Sequence, residues 1–313
     1  MGNTGRKMNI KYIIRTFIFL LLFLTSCQLL QDNRPLPQNY SSQTNTTINQ
    51  TQINQTNATA NITIEPPKPI LLPVNDKLAV YVIDTSKKGA TIITLNNKSM
   101  LINAQGGSDG LRILKTIKNI GIVNIDLFIV TNDNTDNIDG VVPILLRVPP
   151  KELIHSGIGS SNPYYKQYTS IFPNATILPF DKIIGLDTAV VHLIVPYDDE
   201  LPTLLGEESS VVVKLIYGDN KFLFATDCGI DCETRISNIN ADVVVSNGGC
   251  NSLNYGFLKE VNPQLVVFSG TPCEETLERV KSLDMKYLAT SADGDVIITS
   301  DGINYEYKSL KTR

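Results

Sequence analysis

From residue 77 onward, apolar and β-branched residues cluster in short runs separated by Gly, Asn and Asp turns. Runs of about four to eight such residues between turn signals read as strands. They predict strands over residues 78–83, 91–95, 99–102 and 125–131 in the first half of this region. Later strands are expected at 189–195, 210–217, 221–225, 242–245, 264–268, 286–289 and 296–299. Tyr217-Gly218-Asp219-Asn220-Lys221 predicts a hairpin with Gly218 and Asn220 in its turn. Leu111, Leu114, Ile117 and Ile120 recur at helical spacing behind Ser108, a candidate N-cap. Thr276, Leu277, Val280 and Leu283 predict a second helix. Strands that pair first as hairpins and then alternate with helices imply an α/β sandwich rather than a barrel or a bundle.

Ahead of this region the pattern changes twice. Residues 1–26 carry Arg6, Lys7, Lys11 and Arg15 and no acid. An apolar run at 17–24 leads to Thr25, Ser26 and then Cys27. A basic stretch, a short apolar core and small residues before a cut describe a secretory signal. Leu24-Thr25-Ser26-Cys27 is similar to a lipoprotein lipobox, which makes Cys27 the lipidated N-terminus of the mature chain. An uncleaved membrane anchor is the alternative, although the run is shorter than the roughly 20 residues that span a bilayer.

Residues 33–68 are dominated by Asn, Thr, Gln, Ser and Pro with almost no charge. Such a composition buries too little apolar surface to offset its ordering entropy, so 27–76 is expected to be a disordered stalk. Asn39, Asn45, Asn49, Asn54, Asn57 and Asn61 begin Asn-x-Ser/Thr sequons there, and Asn97 and Asn174 begin two more. Dense sequons beside an export signal predict a glycosylated spacer. Pro66, Pro67, Pro69 and Pro73 stiffen the approach to a folded domain at 77–313.

Composition narrows the chemistry. The 313 residues include only two His, which excludes a site built on three or more imidazoles and with it the usual zinc hydrolases. His155 follows a strand-like stretch at 152–154 and His192 lies within the apolar run 190–195, so both read as structural. The formal charge is −4, and loss of residues 1–26 leaves 23 basic against 31 acidic side chains, or −8. Phosphate binding needs a clustered basic face, so nucleic acid is disfavoured as a partner.

Four segments fall in a telling order. Leu78-Ala79-Val80-Tyr81-Val82-Ile83-Asp84 ends in an acid, and Met100-Leu101-Ile102-Asn103-Ala104 and Ile125-Asp126-Leu127-Phe128-Ile129-Val130-Thr131 follow. Ser209-Ser210-Val211-Val212 then leads to Phe222-Leu223-Phe224-Ala225-Thr226-Asp227. Together these resemble the metallo-β-lactamase superfamily over residues 78–307, and within it the extracytoplasmic hydrolase-like domain of ComEC-type DNA-uptake proteins. The resemblance implies an αββα sandwich. Asn103-Ala104 stands where that family usually has Asp-Ala-Gly.

The resemblance places Asn132-Asp133-Asn134-Thr135-Asp136-Asn137, followed by Ile138-Asp139-Gly140, on the metal motif His-x-His-x-Asp-His. Asn132, Asn134 and Asn137 hold the imidazole positions, and only Asp136 remains. Asp227 takes the position of the bridging carboxylate. Asn247-Gly248-Gly249-Cys250 stands where ComEC-like domains carry His-His-Gly-Ser. Imidazoles hold zinc and let it lower the pKa of bound water to about 7, whereas an Asn carbonyl is a weak, hard ligand. The resemblance therefore implies a vestigial site with no catalytic residue and no zinc. Asp133, Asp136, Asp139 and Asp227 with nearby amide carbonyls could instead take Ca²⁺ or Mg²⁺. Turn and helix-cap hydrogen bonding in an inherited loop is the favoured account of them.

Besides Cys27 the chain holds Cys228, Cys232, Cys250 and Cys273, which the resemblance places around the former metal pocket. An even number in an exported domain predicts disulfides, and four cysteines allow three connectivities. Cys228–Cys232 with Cys250–Cys273 is preferred because the first pair could close one turn; a Cys₄ zinc site is the alternative. The expected protein is an exported lipoprotein on the outer face of the cell membrane, held by a lipid or an N-terminal anchor. Its degenerate domain would bind a surface ligand or protein, or serve a structural role, without a cofactor. An active hydrolase of phosphodiesterase type, using Ca²⁺ or Mg²⁺ at Asp136 and Asp227, is the competing expectation.

Overall fold

The β-branched runs pair as the pattern predicts, beginning with antiparallel β1 (Leu78–Val82), β2 (Thr91–Leu95) and β3 (Lys98–Ile102). This is a computed structural model that describes residues 77–85, 88–105, 107–156, 162–196 and 209–311. The chain divides into two compact units, Met1–Glu65 and Pro66–Arg313, and all described residues belong to the second. The expected signal segment, Cys27 and the six stalk sequons lie outside the described residues. Among the described residues no helix is long and apolar enough to cross a membrane.

After β3 come α1 (Gly107–Asn119), β4 (Ile125–Val130), α2 (Thr135–Ile138), α3 (Val141–Arg147) and β5 (Pro150–His155). Next are α4 (Pro163–Ile171), β6 (Thr176–Ile177), β7 (Lys182–Leu186) and β8 (Ala189–Ile194). The second half runs through β9 (Val212–Tyr217), β10 (Asn220–Phe224), α5 (Ile230–Glu233), β11 (Val243–Ser246) and α6 (Tyr255–Val261). It closes with β12 (Leu265–Phe268), α7 (Glu274–Ser282), β13 (Lys286–Ala289), α8 (Thr290–Asp293), β14 (Val296–Ser300) and β15 (Tyr305–Ser309).

Two sheets result. One has the order β15-β14-β1-β2-β3-β4-β5-β6 and the other β13-β12-β11-β10-β9-β8-β7. Alternate residues of each face the opposing sheet: Val80, Val82, Met100 and Ile129 meet Val191, Leu215, Phe222 and Val245 in one core. The outer face of the first sheet packs Phe128 and Leu101 against Ile113, Ile117 and Tyr168 from helices. Val244 and Val266 of the second pack against Phe257, Leu258 and Val280. Each such side chain contributes about 1.5–3 kcal/mol on burial. The layers are thus helix, sheet, sheet, helix, which is the expected αββα sandwich. Parallel β10, β11 and β12 are covered on both faces, which is why Val243-Val244-Val245 is an unbroken apolar run rather than an alternation.

Several expectations shift in detail. α1 buries Ile113 and Ile117, while Leu111 is 62% exposed, so the stripe is rotated from the one predicted and Ser108 falls inside the first turn. The hairpin turn is Gly218-Asp219, because Asn220 already pairs with Tyr217. β7 and β15 escaped the pattern: Ile183 and Tyr307 are exposed at sheet edges, where the apolar–polar alternation loses its meaning. α4 carried its own signal, with Asn162 accepting from Tyr164 N at 3.0 Å and Pro163 in the first turn.

Candidate functional site

The ends of β4, β10 and β11 meet the β1–β2 turn at one edge of the sandwich. Asn103, just past β3 and in a left-handed conformation (φ 58°), accepts from Thr131 N at 2.9 Å. Its Nδ2 donates to Thr131 Oγ1 at 2.9 Å and to Thr226 Oγ1 of the opposite sheet at 3.3 Å. Val211 N donates to Thr131 O at 2.9 Å, a second link between the sheets. The resemblance put Asn103 where an Asp is usual; here the amide, with both a donor and an acceptor, stitches the sheets together.

Asp227 lies three residues beyond β10, and its side chain is fully buried. Asn137 Nδ2 donates to its Oδ2, and Asn247 Nδ2 donates to its Oδ1. Lys88 Nζ lies 2.6 Å from the same Oδ1. Asn137 Nδ2 also donates to Asn132 Oδ1 at 2.6 Å, and Asn132 Nδ2 to Ser210 Oγ at 2.7 Å. Ser210 Oγ completes the ring by donating to Asp227 O at 3.0 Å. Asn132 and Asn137 are each 1% exposed. A buried carboxylate is stable when paired and hydrogen-bonded, and this one has both amide and ammonium donors.

The structure thus brings together Asn132, Asn137, Asp227 and Asn247 among the residues singled out from sequence. Asn134 contributes its backbone: its N–H donates to Asn132 Oδ1 at 3.0 Å and its carbonyl accepts from Asn137 N at 2.8 Å. Asp136 stands half-buried in the first turn of α2. Lys88 was not foreseen. Its turn is positioned by Thr85 Oγ1 donating to Lys88 O at 3.0 Å and by Gly89 N donating to Ser269 O at 3.0 Å. A Cβ on Gly89 would stand 2.6 Å from Ser269 Cβ, so only glycine lets the turn lie this close.

Both cysteine pairs lie at disulfide distance beside Asp227 and Asn247. The sulfurs of Cys228 and Cys232 are 1.99 Å apart, and those of Cys250 and Cys273 are 2.05 Å apart. The first pair is buried and opens α5; the second is at the surface. Cys273 N also donates to Gly248 O at 2.7 Å. Gly248 has φ +69°, and a Cβ there would stand 2.8 Å from Phe268 Cδ1 and from Pro272 Cα. The loop after Gly248 is held from two further sides. Glu233 accepts from Leu253 N, from Asn254 N at 2.9 Å and from Asn254 Nδ2 at 2.6 Å. Burial pushes the Glu233 carboxyl above the usual range. Arg279 Nη2 donates to Cys250 O and Ser252 O, both at 2.8 Å.

The histidines lie apart from this ring. His155 is buried at the end of β5, edge-on to Tyr165 and Tyr168 at 5.5 and 6.0 Å between centroids, and desolvation lowers its pKa to about 4. His192 Nε2 lies 3.3 Å from Asp181 Oδ2.

No family model and no curated protein sequence matches the chain. Among solved structures it is similar to the metallo-β-lactamase fold protein YhfI from Bacillus subtilis, at 12% identity and TM-score 0.48 over 72% of this chain and 100% of that one. It is also similar to a diphosphatase of the PhnP family, at 10% identity and TM-score 0.45 over 75% and 99% of the two chains. A metallo-β-lactamase from Cronobacter sakazakii with a HARLDQ motif aligns at 13% identity and TM-score 0.41 over 53% and 74%. The architecture itself rests on the layers and strand order given above.

Proposed function

We propose that the globular part is a catalytically degenerate metallo-β-lactamase-like domain of ComEC-like type, held at the outer face of the cell membrane through Cys27 or an N-terminal anchor. It serves there as a binding or structural module. The observation that carries this reading is the set of groups facing Asp227. Asn137 and Asn247 turn N–H groups toward it, and Lys88 adds an ammonium. None of these atoms offers an electron pair to a metal, and zinc sites need imidazole, thiolate or carboxylate ligands. Among the described residues, the thiolates of the four cysteines are taken up in disulfides. The residues present do not fit a zinc centre, and no hydrolytic step is assigned to one. Disulfides and sequons both suit an exported protein.

The test is a phosphodiester hydrolysis assay on the purified protein with Zn²⁺, Mn²⁺, Mg²⁺ or Ca²⁺, accompanied by elemental analysis. No turnover above buffer is expected with any ion. Metal-dependent cleavage that disappears in Asp227→Ala would overturn the reading.

A further inference from the structure

We propose that the Lys88 ammonium is the built-in cation of this pocket, so that the Lys88–Asp227 pair and a bound divalent ion are mutually exclusive. The proposal rests on the reading that Asp227 stands at a former bridging position, and it deepens that reading by naming what replaced the metal's charge. Asp227 is a fully buried carboxylate, and a buried charge must be neutralised or pay a large desolvation cost. Asn137 and Asn247 supply dipoles, while Lys88 supplies a full unit of charge on Oδ1. A lysine ammonium is a compact point charge with several donors on a long stem, so it can enter a pocket from a turn outside it. The Lys88 side chain is 26% exposed and its turn is fixed at Thr85 and Gly89, so the ammonium is delivered by a held backbone.

The competition is steric and electronic. Ca²⁺ needs about six to eight oxygens and Mg²⁺ about six in an octahedron. Lys88 and Asn247 together occupy Asp227 Oδ1, and the amide ring is closed with its hydrogens turned inward. Withdrawal of Lys88 frees one lone pair and leaves an uncompensated negative charge. An ion there would bind the freed Asp227 Oδ1 with water completing its shell, because Gly249 N holds Asn247 Oδ1 and Asn132 Oδ1 holds Asn137 Nδ2.

Calorimetric titration of CaCl₂, MgCl₂ and MnCl₂ into the full-length protein and into Lys88→Met tests this, with melting temperature followed alongside. The wild type is expected to show neither binding heat nor a shift in melting. Lys88→Met is expected to bind at least one ion about tenfold or more tighter than the wild type and to melt higher with it. A wild type that binds as tightly as the variant overturns the proposal, and so does a folded variant that binds none. Should Lys88→Met not fold alone, Lys88→Met/Asp227→Asn removes the charge together with its counter-charge. Folding of that pair without salt supports the role given to Lys88; its failure to fold assigns Lys88 to packing and overturns the role. Metal-dependent hydrolysis lost in Asp227→Ala would sink both readings, whereas hydrolysis that persists with a chelator would sink the functional reading alone. Ion binding by the wild type as tight as that by Lys88→Met would sink the present proposal whether or not anything is hydrolysed.

Discussion

Lys88 Nζ and Asp227 Oδ1 are 2.6 Å apart across 139 residues of sequence, joining the first turn of the domain to the end of β10. The carboxylate side of the pair is fully buried and the ammonium side is 26% exposed. Its worth therefore lies between a surface ion pair and a buried one. Lys88→Ala is expected to cost about 2–3 kcal/mol in denaturant unfolding, with an unchanged m-value. A loss of under about 0.5 kcal/mol would mean that the amides alone satisfy Asp227.

Asn247→Asp tests the same ring from the opposite side. The change exchanges an N–H donor on Asp227 Oδ1 for a second carboxylate. Two carboxylates at hydrogen-bond range repel while both are ionised, so the penalty is present at neutral pH and is relieved once either takes up a proton. A deficit of about 2 kcal/mol or more at pH 7 that narrows toward pH 4 is expected in paired denaturation series. A pH-independent deficit would point to lost packing instead.

The two disulfides should differ in weight. In the loop-closure account, the 4-residue separation of Cys228–Cys232 corresponds to about 2 kcal/mol and the 23-residue separation of Cys250–Cys273 to about 3 kcal/mol. Paired Cys→Ser variants compared by thermal unfolding measure this. The surface pair should also be the first reduced by dithiothreitol, because Cys250 is exposed while Cys228 and Cys232 are buried. Mass spectrometry after partial reduction reads the order directly.

His155 gives the domain an acid limit. Its folded pKa of about 4 lies below the ordinary 6.5, so the unfolded chain takes up the proton first. Stability from neutral His155 is complete above about pH 6.5 and is lost as pH falls toward 4, by roughly 3 kcal/mol in all. Glu233, whose pKa is raised by burial, works in the opposite direction, so the comparison must be made with a variant. His155→Phe should flatten the stability–pH slope between pH 4 and 6.5. An unchanged slope would remove His155 as its source.

The sandwich was legible because burial on both faces leaves a one-dimensional trace. Val243-Val244-Val245 and Leu265-Val266-Val267-Phe268 can be strands only under cover, and both are. Exposed positions at sheet edges weaken that trace, which is why β7 and β15 were missed although the edge strand β13 was found. The amide ring was half legible: the resemblance located Asn132, Asn137, Asp227 and Asn247, but not which atoms they would turn toward each other. Lys88 was invisible, since nothing in the sequence marks it out from the other lysines. Neither periodicity nor composition encodes a contact across 139 residues. The available hint was chemical: a carboxylate buried just past a strand end requires a positive partner.

The links between the sheets gather at one end of the sandwich: Asn103 to Thr226, Val211 to Thr131, Gly89 to Ser269 and Lys88 to Asp227. Each joins segments far apart in the chain, so none can form until both halves have docked. Contacts made after the rate-limiting step leave the folding rate alone and slow only the reverse reaction. This end of the molecule is therefore expected to act as a latch in time, setting how long the folded state lasts.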